Sequence, residues 1–238
     1  MAGKRKKYTK DFLKKRNIII ATSLVMILFF SIVIGVSGLH KEPVQKKIPV
    51  FPDYSKITVK APVVKEKLLT QNVNSRPGIA LKKVNGVVIH YTANPGTDAM
   101  ANRNYFESRK KRKDSKENKV SSNYIIGLDG TIIRCVPDTE IAYASNQRNA
   151  DTLSIECCHP DKSGKFSTAT YQSLIHLVAY LCDRYEISLS QIIRHYDITG
   201  KNCPKYYVEN ENAWKQLKQD IVSYLKRSMN NKNTKDTM

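Results

Sequence analysis

Acidic residues are scarce in this 238-residue chain: 21 Asp and Glu stand against 40 Lys and Arg, a formal net charge of +19. An excess of that size invites a nucleic-acid reading, but its position argues against one. Residues 1–83 carry 18 bases and 4 acids, whereas residues 84–229 carry 20 and 16. The larger part of the chain is close to balanced. The excess therefore reads as a topology signal and an attraction to anionic lipids or wall polymers, and nucleic acid is not an expected partner. Cysteine is also sparse. The five thiols (135, 157, 158, 182 and 203) are an odd number, which excludes a fully paired disulfide framework. Adjacent Cys157 and Cys158 would point to opposite faces of a strand, as small core residues do. No internal repeat is present, which excludes a solenoid.

One long apolar run is present. Ile18–Leu39 spans 22 residues without a charge. As a helix rising about 1.5 Å per residue, it crosses a hydrocarbon core of roughly 30 Å. Eight Lys or Arg precede it against the single acid Asp11, which orients residues 1–17 as a cytoplasmic basic tail and everything after Leu39 outside. The expected arrangement is a single-pass signal anchor at 18–39. A signal peptide cleaved near Val36-Ser37-Gly38 is the competing reading, and the run is longer than the usual core of such peptides. Either outcome exports the remainder.

Residues 40–83 contain five prolines and little periodicity, the composition of an extended spacer. A compact domain is expected over 84–228, followed by a polar, disordered tail at 229–238. Within the domain, Val84–His90 is a short apolar run ending at a histidine. Asp98 to Arg109 suits a helix, and Arg109 to Lys119 is a charged loop. Ser122 to Leu128 and Thr131 to Val136 flank Asp129-Gly130 as a hairpin. Thr152 to Cys158 is another strand, carrying Glu156 in an otherwise apolar run. Thr168 to Tyr185 repeats Leu174, Leu177, Val178, Leu181 and Cys182 at helical spacing. Gln191 to His195 is a strand that again ends at a histidine, and Glu209 to Arg227 is a helix carrying Trp214. Strands interleaved with helices predict an α/β fold: a single mixed sheet with helices on both faces.

Of the five histidines, His40, His159 and His176 read as structural or surface groups. His90 and His195 differ because each ends an apolar strand, and strand tips in α/β folds line the cleft where ligands bind. Cys203 follows His195 across a loop containing Gly200 and closed by Pro204. Two imidazoles and a thiolate leave one position open on a tetrahedral zinc ion, the arrangement of a catalytic site.

These segments resemble a known family. His-Tyr-Thr after a Val-Val-Ile strand, Asn-Tyr-Ile-Ile-Gly-Leu-Asp-Gly-Thr-Ile, Ser-Ile-Glu-Cys, and Arg-His-Tyr-Asp-Ile-Thr-Gly-Lys-Asn-Cys-Pro are similar to the zinc-dependent N-acetylmuramoyl-L-alanine amidases. This is the type-2 amidase and peptidoglycan recognition protein superfamily. The likeness covers roughly 84–226. It implies His90, His195 and Cys203 as ligands of Zn2+, Glu156 as general base and Lys201 as stabiliser of the transition-state charge. The implied substrate is peptidoglycan, cut between N-acetylmuramic acid and the L-alanine of the stem peptide by a monomeric hydrolase. Other branches place a Tyr or His in the hairpin strand near Ser122 and Asn123, and this chain has neither. Two further readings of the same residues are a module that holds peptidoglycan without cutting it, and a cysteine hydrolase using Cys203 and His195. The latter leaves His90 and Glu156 unexplained.

Overall fold

The computed structural model describes residues 59–236. The basic tail, the run Ile18–Leu39 and the first part of the expected spacer lie outside them. Among the described residues no helix is long and apolar enough to cross a membrane.

Six strands are described: β1 (Val64–Glu66), β2 (Gly86–Tyr91), β3 (Tyr124–Ile126), β4 (Ile132–Arg134), β5 (Thr152–Cys157) and β6 (Ile192–Arg194). They form one sheet in the order β1-β4-β3-β5-β2-β6. Every neighbouring pair is parallel except the β3–β4 hairpin, so the sheet is mixed. In β2 the residues alternate between the two faces. Val87 and Ile89 join the larger apolar cluster, which leaves Val88 and His90 on the opposite face.

The helices are α1 (Ala99–Ser108), α2 (Thr168–Tyr185), α3 (Tyr196–Thr199), α4 (Lys205–Glu209) and α5 (Glu211–Asp236). The side chain of Asp98 caps α1 by accepting from the Ala101 amide at 2.7 Å. Ser167 does the same for α2 through Thr170 at 3.0 Å. The apolar stripe of α2 (Leu174, Leu177, Val178, Leu181) packs with Leu217, Ile221 and Leu225 of α5 against one sheet face. Ala99 and Phe106 of α1 cover Ile125 and Ile133 on the other. Each side chain the size of leucine buried this way contributes about 1.5–3 kcal/mol.

The hairpin is present, but its turn is wider than a two-residue Asp-Gly link. Gly127 N–H donates to Thr131 O at 2.8 Å and Gly130 N–H to Gly127 O at 3.0 Å, with Asp129 accepting from the Thr131 amide. Gly130 has φ +80°, and a Cβ there would sit 2.8 Å from Ser173 Oγ on α2. Glycine is required on both counts.

Two boundaries differ from the sequence expectation. Residues 59–83, expected as spacer, belong to the domain. β1 pairs with β4, Leu69 is buried, and the Leu69 amide donates to Cys135 O at 2.8 Å. A three-residue strand is too short to show alternation, so nothing in its composition marks it. At the other end, α5 continues past Ser228 to Asp236, where a disordered tail was expected. Extending an existing helix costs far less than starting one. All five cysteines are buried free thiols.

Candidate metal centre and active site

Sheet register assembles the first half of the site. β2 and β5 run parallel with His90 opposite Glu156, so both side chains leave the same face. Ile125 of β3 lies opposite Glu156 on its other side, which places the carboxyl in the middle of the sheet. The second half comes from the segment after β6. His195 N–H reaches Ile89 O at 3.4 Å, α3 follows, and Gly200 ends it at φ +76°. That left-handed residue reverses the chain, and Tyr196 N–H then donates to Cys203 O at 2.9 Å. Cys203 Sγ is thereby held 3.7 Å from His90 Nδ1.

His90, His195 and Cys203 are all buried, with ligand atoms within 4.8 Å of one another. The two ring centroids also lie 4.8 Å apart. Tetrahedral zinc with Zn–N near 2.05 Å and Zn–S near 2.3 Å sets sulfur and nitrogen about 3.6 Å apart. The observed Cys203–His90 spacing fits that value. Burial is the largest cause holding His90 well below the ordinary imidazole value, followed by the charges of His195 and Lys201. His195 is lowered by burial and then by Lys201. Both rings are therefore neutral near pH 7, the form that ligates a cation. Burial pushes the Cys203 thiol up to about 12, and Glu156 adds to the rise. A protonated thiol beside neutral imidazoles is not the ion pair of a cysteine nucleophile, whereas a divalent cation would displace the thiol proton.

Glu156 is the second notable group. Its Oε2 is buried without a hydrogen-bond partner. Burial pushes the carboxyl up to about 8, opposed by the positive charge of Lys201. An unpartnered buried carboxyl costs stability, and such groups concentrate where chemistry uses them. Lys201 itself is exposed on the loop between His195 and Cys203. Its charge acts on His90, His195, Glu156 and Cys203 alike.

Arg194 anchors the loop from beneath. It is buried, its side chain donates to Asp197 Oδ1 at 2.8 Å, to Tyr207 O at 2.9 Å and to Glu211 Oε2 at 2.9 Å, and its guanidinium lies 5.1 Å from the Trp214 ring. His159 and His176 stand apart from the cluster. His159 bonds Asp161 O through Nδ1 at 2.7 Å and packs on Tyr91, while His176 bonds Lys60 O at 2.8 Å on α2. His40 lies outside the described residues. Ser122 and Asn123 are buried and hold the sheet together: Ser122 Oγ donates to Ser154 O at 2.9 Å, and Asn123 Oδ1 accepts from the Ser154 amide at 3.0 Å.

Sequence reading passed over Ser145 and Asn146. Ser145 Oγ lies 3.2 Å from His90 Nε2, and Asn146 Oδ1 lies 2.9 Å from His195 Nε2. Asn146 opens a short 3-10 segment, Asn146–Ala150, which Ser145 immediately precedes, and neither carries a periodic signal. Asn146 also lines a cleft of about 470 Å³, together with Tyr143, Asn149, and Lys116 and Lys119 of the charged loop.

The family model described as N-acetylmuramoyl-L-alanine amidase matches residues 80–206. The chain is 33% identical over 181 residues to the N-acetylmuramoyl-L-alanine amidase CwlL of Bacillus licheniformis, covering 70% of this chain and 48% of that one. It is 33% identical over 171 residues to the N-acetylmuramoyl-L-alanine amidase BlyA of Bacillus subtilis (strain 168), covering 63% and 44%. It thus spans about half the length of the curated relatives it matches. Among solved structures, that of PlyL superposes with a TM-score of 0.56 at 22% identity, over 67% of this chain and 97% of that one. A mutant endolysin from Bacillus subtilis superposes at 0.55 and 24%, over 68% and 99%. These two likenesses concern the fold.

Proposed function

The chain belongs to the N-acetylmuramoyl-L-alanine amidase family, and from that premise we propose that it is a zinc-dependent peptidoglycan hydrolase. The bond cut joins the lactyl group of N-acetylmuramic acid to the L-alanine of the stem peptide. One observation carries the reading: the half-buried Glu156, whose Oε2 is buried without a partner, stands in register beside a buried His–His–Cys cluster. His90, His195 and Cys203 are the residues that would hold the metal. Zinc, when bound, supplies Lewis acidity that acidifies water and polarises the scissile carbonyl.

The chain's own residues do the rest. Glu156 accepts the proton of the attacking water and delivers it to the leaving amine nitrogen, after which its carboxylate is restored. The Lys201 ammonium faces the negative charge that grows on the carbonyl oxygen. Arg194, through Asp197 and Tyr207, holds the His195 loop at fixed distance from β2.

The sequence of Ile18–Leu39 and its basic flank supports a second part of the proposal: the domain is tethered outside the cytoplasmic membrane by a single-pass anchor. Recovery of the full chain in the membrane fraction, with the domain accessible to added protease, checks it.

The deciding experiment is mass spectrometry of purified cell walls digested by wild type, by wild type with a chelator, and by Glu156→Ala. Stem peptides with a free L-alanine amine are expected from the first alone, returning to the second when zinc is restored. Cleavage between sugars or within the peptide by wild type overturns the bond assignment. No release with zinc supplied favours a module that only holds peptidoglycan.

A further inference from the structure

We infer that Asn146 is a positioning residue that fixes the tautomer of His195, so that the ring meets the metal through Nδ1. The inference rests on the metal-site reading above. His195 Nε2 lies 2.9 Å from Asn146 Oδ1. A carboxamide oxygen only accepts, so the neutral ring carries its hydrogen on Nε2 and its lone pair on Nδ1. Hydrogen-bond partners on the far nitrogen of a ligating histidine orient the ring and raise its basicity. Asn146 supplies that partner here.

Three features show that this loop is built to do so. Asn146 has φ +53°, a left-handed backbone that asparagine tolerates better than other side-chain-bearing residues. The strained residue is locked on one side by Asn149, whose Oδ1 accepts from the Ala144 amide at 3.1 Å and the Ser145 amide at 2.6 Å. On the other side, Arg148 N–H donates to Ser145 O at 3.0 Å and Thr152 Oγ1 donates to Arg148 O at 2.6 Å, tying the loop to the start of β5. The neighbouring Ser145 Oγ lies 3.2 Å from Nε2 of the other imidazole, His90, whose Nδ1 faces Cys203 Sγ. One rigid segment therefore backs both rings on their Nε2 sides.

The test uses two variants chosen for the left-handed position. Asn146→Gly removes the acceptor without straining the backbone, and Asn146→Asp keeps an acceptor in place. Long-range 1H–15N spectra of the metal-free protein report the tautomer directly. The Nε2–H form is expected for His195 in wild type and Asn146→Asp, with a mixture in Asn146→Gly. Zinc affinity, read by competition with a chromophoric chelator, is expected to fall about 10–100-fold in Asn146→Gly and to recover in Asn146→Asp. An Nδ1–H tautomer in wild type, or a glycine variant that binds zinc as wild type does, overturns the inference. Wild type that shows the Nε2–H form yet binds no zinc sinks the metal reading and leaves the tautomer assignment standing, so the two failures are told apart.

Discussion

Replacing Glu156 with glutamine is expected to stabilise the metal-free protein, by an amount that grows with pH. The side chain is half-buried, its Oε2 is buried without a partner, and desolvation raises the carboxyl to about 8 against the pull of Lys201. In the unfolded chain a glutamate ionises near pH 4.3. Between those values the folded state keeps a proton that the unfolded state has released. The stability associated with the neutral group is therefore complete below about pH 4 and is lost as pH rises toward 8. Each pH unit across the window costs about 1.4 kcal/mol, so wild type is expected to lose roughly 3–4 kcal/mol relative to Glu156→Gln between pH 5 and pH 8. Glutamine has the same shape and no ionisation, and other titrating groups cancel in the comparison. Guanidinium unfolding of both proteins in chelator at pH 5, 6.5 and 8 measures the difference. A difference that stays flat across the range refutes the reasoning, because it means the carboxyl ionises as freely inside the fold as outside.

Two other substitutions follow from the site. Lys201→Met removes the cation that lowers Glu156, so the acidic limb of the hydrolysis pH profile is expected to move upward. The rate at neutral pH is expected to drop by roughly 10²-fold; an unmoved limb with normal kcat strips Lys201 of its role. Arg194→Lys cannot reach Asp197, Tyr207 O and Glu211 together. It is expected to cost about 2–4 kcal/mol in thermal or denaturant unfolding and to weaken zinc binding, whereas a neutral result places the loop's rigidity elsewhere.

The long elements were legible because burial imposes a period on them. The stripe of α2 is expected over Thr168–Tyr185 and found there. β2 and β5 announce themselves by continuous β-branched and apolar runs, and their register then brings His90 beside Glu156, a placement that no local pattern encodes. The end of the chain's last helix was harder to read. Asn210 separates α5, which begins at Glu211 where a helix from Glu209 to Arg227 was expected and runs on to Asp236, from α4, a short helix that was not expected. What stayed hidden shares one physical trait: it is short, without a period, and held at least in part by hydrogen bonds to residues distant in sequence. β1 borrows its order from β4, and the Ser145–Asn146 segment borrows its own from Asn149, Thr152 and the two imidazoles. Composition carries no trace of a partner far away in the chain.

His90 and Cys203 stand 113 positions apart, yet their donor atoms touch. A chain not yet folded thus presents no pocket able to seize a cation, since β6 and the loop beyond it must first meet β2. The proposed activity therefore waits on the coming together of segments distant in sequence. Melting of either segment disperses the donor set, a built-in safeguard for an agent proposed to dismantle the wall around its own maker.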